Sequence, residues 1–232
     1  MLSLHQVNFK YLQKQVLKDV SFSLKKGEIG ALIGSSGSGK TTLFKLLTGI
    51  LSPQEGIIST DHKMAYMTQK DLLLPWRNIQ HNLTLLLELG KQPVFSKNLE
   101  KQAIKLLAEM GLADCLEMYP HELSCGMRQL VSLARALLQK RPILLLDEPF
   151  ASLDAALKEQ MYERLKKTRN QYETTILLIT HDFRDTLSLA DHVFFLSDGV
   201  IKKKWEITDL ERKDPQKSHR LLNEMRHAIL HA

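Results

Sequence analysis

The chain has 232 residues, of which 44% are hydrophobic and 25% are charged, and its formal net charge is +6. This length and composition suit one globular domain with a substantial core, so we expect a single domain over residues 1–232. No stretch reaches the roughly 20 apolar residues that a membrane-spanning helix needs. Residues 1–10 lack the basic and apolar regions of a secretion signal. We therefore expect a cytoplasmic chain that does not itself cross a membrane.

The cysteines and the positive charge carry little functional information. Two cysteines, Cys115 and Cys125, are too few for the disulfide framework of a secreted chain, so reduced thiols are expected. A moderate charge surplus is commonly spread over a solvated surface, and it does not by itself indicate nucleic acid. The basic cluster Lys202-Lys203-Lys204 fits a solvated strand end better than a lipid contact.

The first fifty residues predict strands followed by one helix. Strands are predicted by two runs of alternating polar and apolar residues, at 2–9 and 16–24, and by a short apolar run at 28–33. The second run ends at the turn signal Lys25-Lys26-Gly27. A Gly/Ser-rich loop follows the third run, and a helical pattern over residues 40–48 ends at Gly49. We expect an N-terminal antiparallel β layer and then a strand, a loop and a helix.

The rest of the chain alternates helical and strand patterns. Residues 83–138 are largely helical in periodicity, with interruptions near 90–96 and at 119–122, where Pro120 breaks the run. Strands are predicted at 143–146, 174–180 and 192–196, and helices at 154–169 and from residue 209 onward. Buried strands alternating with helices indicate a parallel sheet covered on both faces. The expected fold class is α/β, with a helical insertion.

The strongest motif is a phosphate-binding loop between the third strand and the first helix. The pattern GxxxxGK(S/T) is satisfied by Gly34, Ser35, Ser36, Gly37, Ser38, Gly39, Lys40 and Thr41. Its small residues let backbone N–H groups surround a phosphate chain, and the helix adds its positive N-terminal end. We expect Lys40 to reach the β- and γ-phosphates, Thr41 to coordinate Mg²⁺ and Thr42 to contact the α-phosphate side.

A pair of acids ends the predicted strand 143–146. Asp147 and Glu148 follow four apolar residues, at the carboxyl end where α/β sheets bind ligands. Asp147 is expected to hold Mg²⁺ through water, and Glu148 to accept a hydrogen bond from a water that attacks the γ-phosphate. Solvated acids at a strand end are common, so the pair gains its weight from the phosphate loop in the same chain.

The segment Leu123-Ser124-Cys125-Gly126-Met127-Arg128-Gln129, followed by Ala134-Arg135-Ala136, resembles the signature motif of ABC ATPases. Further segments match that family in its order: Tyr11 for the adenine-stacking aromatic residue, Gln69 for the Q-loop, Ser152-Leu153-Asp154 for the D-loop and His181 for the switch histidine. The resemblance runs from about residue 2 to residue 203. It implies the ABC ATPase fold, a P-loop NTPase core in which residues 83–138 form a helical subdomain carrying the signature motif.

The resemblance also implies a role for each matched residue. His181 would donate a hydrogen bond to the γ-phosphate, and Gln69 would sense Mg²⁺ and the attacking water. Tyr11 would stack on adenine. Ser124 and Gly126 would bind the γ-phosphate of the ATP held by a second copy, so the site is completed only in a homodimer that sandwiches two ATP molecules. Taken alone, each of these residues has an ordinary structural explanation.

The implied function is that of an ATPase that drives a membrane transporter. In such transporters the segment after the Q-loop, here Lys70–Ile79 with Leu74-Pro75-Trp76-Arg77, touches transmembrane permease subunits. Together with Met127-Arg128-Gln129, this segment looks like the ATPases of bacterial importers for nitrate, sulfonates, taurine or thiamine-precursor pyrimidines. Leu130 departs from that subfamily, which often has arginine there. The resemblance implies a peripheral position on the inner face of the membrane and a solute-binding protein in the full system.

Two other classes of P-loop protein remain as alternatives. A soluble ABC ATPase acting on DNA or ribosomes would carry long coiled coils or a second cassette, and neither pattern is found, so no nucleic-acid partner is expected. A P-loop kinase or GTPase would leave the signature-like segment and His181 without a role. The transported solute stays open, because selectivity belongs to the membrane and solute-binding partners.

Cys125 departs from the family pattern, which has two glycines after the serine. If the backbone at this position requires a positive φ, a cysteine costs on the order of 1 kcal/mol or more. On that condition we expect weaker ATP-driven closure and a slower ATPase.

Overall fold

The computed structural model describes residues 1–60, 62–89 and 97–230. The strands are β1 (Leu2–Tyr11), β2 (Lys14–Leu24), β3 (Ile29–Ile33), β4 (Glu55–Thr60), β5 (Met64–Met67), β6 (Ile143–Asp147), β7 (Thr175–Ile179), β8 (His192–Ser197) and β9 (Val200–Glu206). The helices are α1 (Lys40–Leu47), α2 (Ile79–Glu88), α3 (Lys97–Glu109), α4 (Cys125–Leu138), α5 (Ala155–Tyr172), α6 (Phe183–Leu189), α7 (Asp209–Lys213) and α8 (Pro215–Leu230). Short 3-10 turns lie at Ala113–Cys115 and Pro120–Glu122.

The N-terminal layer is a three-stranded antiparallel sheet in the order β2-β1-β4. Leu2 pairs with Leu24 on one side and with Thr60 on the other. The antiparallel layer expected from the sequence is therefore confirmed. The strand β4 was missed because its residues are mostly exposed and carry no apolar alternation; only its pairing with β1 makes it a strand.

The central sheet has six strands in the order β5-β6-β7-β3-β8-β9. Its strands are parallel except β9, which runs antiparallel to β8. All five residues of β3, of β6 and of β7 are buried, as expected for parallel strands with both faces covered. The predicted parallel sheet is confirmed, and the carboxyl ends of β3, β6 and β7 meet at one edge.

Alternate residues of each central strand pack into two different hydrophobic clusters. In β6, Ile143 and Leu145 join the cluster formed with α1 and the N-terminal sheet. Leu144 and Leu146 join the cluster formed with the helical part of the chain and α8. Because the side chains of a strand alternate in direction, both faces of the sheet are covered, and its ends are left to carry the polar residues.

The helical part begins four residues earlier than predicted. The Asn78 side chain accepts a hydrogen bond from the N–H of His81 and caps α2, so that helix starts at Ile79. The interruption predicted near residues 90–96 lies outside the described residues. The break at Pro120 is observed as a short 3-10 turn before the signature segment.

The C-terminal region forms helices as predicted, but β9 was not predicted. The basic cluster lies on β9 with its three lysines exposed, and they pair with carboxylates of Asp198, Glu224 and Glu206. This arrangement agrees with a solvated strand. In the described part of the chain, no helix is both long enough and apolar enough to cross a membrane.

Candidate functional site

The loop Gly34–Thr41, here called the phosphate loop, joins β3 to the N-terminus of α1. A Cβ at Gly34 would lie 2.1 Å from the carbonyl oxygen of Leu196, so only glycine fits at the start of the loop. Gly39 precedes α1 with a φ of 109° and contributes no side-chain cap, and the first turn of α1 has no acidic residue. The first amides of α1 are therefore free to bind an anion.

Ser38 supplies a further polar group inside the phosphate loop. Its side chain is buried, and its Oγ has no hydrogen-bond partner among the described residues. An unpaired hydroxyl in a buried site is costly unless a ligand completes it. The loop is thus built to receive polar ligand atoms such as phosphate oxygens.

Lys40 is buried in the phosphate loop, with 6% of its surface exposed. Its Nζ donates hydrogen bonds of 2.8 Å to the carbonyl oxygens of Gly34 and Ser35. Burial lowers the pKa of Lys40, and the nearby carboxylates of Glu148 and Asp147 oppose that change. The lysine therefore holds the loop in shape from inside and lies within the field of both acids.

Thr41 and Asp147 join the phosphate loop to the end of β6. Thr41 Oγ1 donates a hydrogen bond of 3.2 Å to Asp147 Oδ2, and Tyr66 OH donates to the same oxygen at 3.5 Å. Burial raises the pKa of Asp147, while the Thr41 hydrogen bond acts in the opposite direction. Burial and the Asp147 charge raise the pKa of Tyr66. Sequence reasoning missed Tyr66, since β5, which carries it, was not predicted.

The oxygens of Thr41 and Asp147 suit Mg²⁺, which prefers oxygen ligands and usually shares them with substrate phosphates. Over residues 1–60, 62–89 and 97–230, no group of three or more His, Cys, Asp or Glu side chains could hold a metal by itself. A metal at Thr41 and Asp147 would therefore need phosphate oxygens or water to complete its coordination.

Glu148 and His181 meet next to this pair. The Nε2 atom of His181 lies 2.9 Å from Oε1 of Glu148. Glu148 adopts a left-handed φ of 52° directly after β6, and its N–H donates to the carbonyl oxygen of Ile179 at the end of β7. Asp182 caps α6 and fixes the turn in which His181 lies. Neighbouring parallel strands thus deliver both side chains to one edge of the sheet.

One cavity of about 350 Å³ collects most of the residues predicted to bind or hydrolyse a nucleotide. It is lined by Tyr11, Lys14, Val16, Ser36, Gly37, Gly39, Lys40, Thr41, Thr42, Gln69, Glu148, Ile179 and His181. Sequence reasoning missed Lys14 and Val16, which lie on β2 just after the hairpin turn from Tyr11. Tyr11 is exposed and packs edge-on against Phe9, with 4.9 Å between ring centroids.

The signature segment lies outside that cavity. Ser124 caps α4, its Oγ accepting a hydrogen bond of 3.2 Å from the N–H of Met127. Neither Ser124 nor Gly126 lines the cavity in the part of the chain that the structure describes. The chain therefore does not bring these two residues to its own phosphate loop.

The condition placed on Cys125 is not met, so the slower ATPase expected from it loses its basis. Cys125 is the first residue of α4 and is absent from the described residues with positive φ, so its side chain causes no backbone strain of that kind. The constrained position is Gly126, where a Cβ would lie 2.8 Å from the carbonyl oxygen of Ser152. Only the second of the two glycines in the family pattern is needed for this close approach.

The segment Lys70–Ile79 carries exposed apolar side chains on a fixed backbone. Leu72 is 58% exposed and Trp76 is 71% exposed. Arg135 donates hydrogen bonds to the carbonyl oxygens of Asp71 and Leu72, and Arg128 Nε lies 2.9 Å from Asp71 Oδ2. The segment is therefore tied to α4, with apolar groups left on its surface.

Residues 17–151 match the family model described as ABC transporter. The chain belongs to the ABC transporter family. This ABC ATPase is 39% identical over 220 residues to the formylaminopyrimidine import ATP-binding protein ThiZ of Halalkalibacterium halodurans, an alignment that covers 92% of this chain and 87% of ThiZ. It is also 39% identical over 191 residues to the aliphatic sulfonates import ATP-binding protein SsuB of Corynebacterium glutamicum, covering 82% of this chain and 78% of SsuB.

Solved ABC cassettes share its fold. The dimeric ATP-binding cassette MJ0796, in a post-hydrolysis state bound to ADP and Pi, superposes with a TM-score of 0.82 at 26% identity, over 90% of this chain and 99% of that one. The family, the fold and the ATPase class expected from the sequence are thereby confirmed.

Proposed function

We propose that this chain is the ATP-hydrolysing subunit of a bacterial ABC importer for a small solute of the nitrate, sulfonate, taurine or pyrimidine type. The observation that carries the proposal is the meeting of Lys40, Thr41 with Asp147, and Glu148 with His181 around one cavity. The import function rests on the sulfonate and formylaminopyrimidine import proteins reported above. Those relatives do not favour the alternative of a soluble ABC ATPase acting on DNA or ribosomes.

ATP would bind with its phosphates in the phosphate loop and its adenine on Tyr11. The amides of the loop and of α1 would contact phosphate oxygens, and Lys40 would exchange the carbonyls of Gly34 and Ser35 for the β- and γ-phosphates. Thr42 lines the same cavity and would contact the α-phosphate side. Thr41, Asp147 and Gln69 would hold Mg²⁺, which neutralises charge that develops on the phosphates.

Hydrolysis would depend on Glu148, with His181 and Gln69 beside it. Glu148 would accept a hydrogen bond from the attacking water and take up its proton. The Nε2 atom of His181, 2.9 Å from Glu148, would orient that carboxylate before ATP binds and would then donate its hydrogen bond to the γ-phosphate instead. These roles match the exposure of His181 to the same cavity that the phosphate loop lines.

Two copies of the chain would complete the site. Ser124 and Gly126 lie outside their own chain's cavity, which suits groups that bind the ATP of a second copy. The related cassette MJ0796 is dimeric. ATP would then bridge two chains, and its hydrolysis would release them.

The segment Lys70–Ile79 would dock on transmembrane permease subunits, with Leu72 and Trp76 as apolar contacts. In that assembly we place residues 1–232 as one ABC ATPase domain on the inner face of the cell membrane, with a helical subdomain that carries the signature motif. A solute-binding protein outside the membrane would deliver the solute.

Two measurements test this proposal. Size-exclusion chromatography of Glu148→Gln with ATP and Mg²⁺ should show a stable dimer, whereas a monomer would remove the shared site. Pull-down of the chain from solubilised membranes should recover an integral membrane protein. Recovery of ribosomes or nucleic acid in its place would reject the importer assignment.

A further inference from the structure

Gln129 is a buried side-chain amide that links two functional segments of the chain. It lies in α4, five residues after Ser124, and is 7% exposed. Its Nε2 donates a hydrogen bond of 2.6 Å to the carbonyl oxygen of Glu148, and its Oε1 accepts one of 2.9 Å from the N–H of Ser152. One side chain therefore satisfies backbone groups on both sides of the turn that follows β6.

The backbone that Gln129 binds is strained. Glu148 has a left-handed φ of 52°, which is unfavourable for a non-glycine residue. Such a conformation persists only where neighbouring contacts impose it. Here the N–H of Glu148 is held by Ile179 and its carbonyl by Gln129, so hydrogen bonds fix the peptide groups on both sides of its Cα. The direction of the Glu148 side chain follows from that constraint.

The start of α4 also contacts Ser152 through two other residues. Gly126 approaches the Ser152 carbonyl so closely that a Cβ would lie 2.8 Å from it. The Sγ of Cys125 lies 3.3 Å from the Ser152 hydroxyl. Gln129, one turn further along the helix, adds the contact to the Ser152 N–H. The helix α4, here called the signature helix, thus lies in a fixed position against the turn between Glu148 and α5.

We propose that Gln129 is a positioning residue for ATP hydrolysis, which holds Glu148 in its strained conformation and fixes the signature helix against Ser152. The inference rests on the proposed role of Glu148 in hydrolysis. Gln129 itself does not touch the phosphate loop among the described contacts. Its loss should therefore affect the chemical step and leave nucleotide binding by Lys40 and the loop amides in place.

The test uses two variants that change the buried side chain of Gln129 in different ways. Gln129→Met keeps the length and shape of the side chain but removes both hydrogen bonds. Gln129→Asn keeps an amide that is too short to reach both partners. The matched control is Gln139→Met at the C-terminal end of the same helix. Among the described residues, the side-chain amide of Gln139 bonds only to the carbonyl of Arg135.

Steady-state hydrolysis, the binding of a fluorescent ATP analogue and the melting temperature are measured for each protein. We expect both Gln129 variants to lose about 10–100-fold in kcat, because small displacements of a catalytic group have effects of that size. Their KM and their affinity for the analogue should stay within about twofold of wild type. Gln139→Met should keep wild-type kcat.

A folded Gln129→Met or Gln129→Asn protein with wild-type kcat overturns the inference. So does a parallel loss of kcat, nucleotide affinity and melting temperature, or the failure of both variants to fold, because each assigns Gln129 a purely structural role. Glu148→Gln is assayed alongside. Full turnover by Glu148→Gln would reject the proposed function, whereas an inactive Glu148→Gln beside active Gln129 variants rejects only the present inference.

Discussion

The Nε2 atom of His181 lies 2.9 Å from Oε1 of Glu148, although 33 positions separate the two residues in the sequence. They meet because β6 and β7 are adjacent parallel strands, with Asp147 paired to Ile179 at their ends. The imidazole is thus held by the sheet itself, in a position to orient the carboxylate.

The first prediction concerns that pair. His181→Ala should lower kcat by about 100-fold, since a donor aimed at developing charge contributes on that scale. ATP binding should persist, because Lys40 and the loop amides are unchanged. Steady-state hydrolysis and nucleotide titration measure the two effects, with His219→Ala on the exposed side of α8 as the control. Wild-type turnover by His181→Ala would show that the contact has no catalytic role.

The second prediction separates the two positions after Ser124. Gly126→Ala should reduce hydrolysis at least about tenfold, because its Cβ would lie 2.8 Å from the backbone oxygen of Ser152 and would push the D-loop or α4 away. Cys125→Gly should keep the wild-type rate, since Cys125 is helical and free of positive φ. It should lower the melting temperature slightly, as glycine is a poor helix former by up to about 1 kcal/mol.

Hydrolysis assays and dimer formation with ATP measure this difference. A Cys125→Gly protein that turns over faster than wild type would restore the idea that the cysteine weakens closure. Equal activity of Gly126→Ala and wild type would show that the turn at Ser152 moves without consequence.

The third prediction concerns the buried carboxylate of Asp147. Because its folded-state pKa is raised by burial above the ordinary value of 3.8, its charge destabilises the native state at neutral pH. Asp147→Asn should therefore melt at a higher temperature than wild type at pH 8 without nucleotide, with each kcal/mol worth about 2–4 °C in a chain of this size. Its hydrolysis should fall at least about 100-fold, because the proposed ligand for Mg²⁺ is lost.

The difference in melting temperature between Asp147→Asn and wild type should depend on pH. The stabilising contribution of a raised pKa is present below 3.8 and is lost as pH rises through the folded-state value. The melting advantage of Asp147→Asn should therefore shrink as pH is lowered from 8 towards the ordinary value of 3.8. The control is Asp114→Asn, which neutralises an exposed carboxylate that is not among the residues lining the phosphate-loop cavity. An advantage that grows on acidification would contradict the assigned pKa direction.

The fourth prediction concerns the segment Lys70–Ile79. Trp76→Ala should leave hydrolysis by the isolated chain unchanged, because Trp76 does not line the phosphate-loop cavity among the described residues. It should lose most of the stimulation by the permease subunits, since an exposed aromatic residue is typical of a binding hot spot. The control is Leu210→Ala on α7, because Leu210 is an apolar residue of similar exposure. Equal stimulation of both variants would place the docking surface elsewhere.

Sequence reasoning predicted the phosphate loop and the acids after β6 from short contiguous patterns at strand ends, and His181 from the family resemblance. The structure brings Lys40, Glu148 and His181 to one cavity. Sequence reasoning missed Tyr66, whose hydroxyl reaches Asp147 from 81 positions away. Tyr66 lies on β5, whose four residues do not by themselves predict a strand. They form one only by pairing with β6. Contacts of this kind are set by topology.

The sequence motifs also did not predict which residues adopt a left-handed backbone conformation. The family pattern of two glycines suggested that Cys125 is strained, but the left-handed residue in this region is Glu148. Its φ depends on two hydrogen bonds to residues of other elements: the Glu148 N–H donates to the carbonyl oxygen of Ile179, and the Gln129 amide donates to the carbonyl oxygen of Glu148. Likewise, the requirement for glycine at position 126 comes from the Ser152 carbonyl, which only the tertiary structure brings there.

Lys40 donates hydrogen bonds to the carbonyl oxygens of Gly34 and Ser35, so its ammonium group stabilises the conformation of the phosphate loop. A substitution that removes this ammonium group, such as Lys40→Ala, deletes a proposed phosphate ligand and also leaves the two carbonyl oxygens without their hydrogen-bond donor. Inactivity of such a variant therefore reflects a changed shape of the phosphate loop as well as the loss of the positive charge. Lys40→Arg, which retains a cation of different geometry, would separate these two contributions.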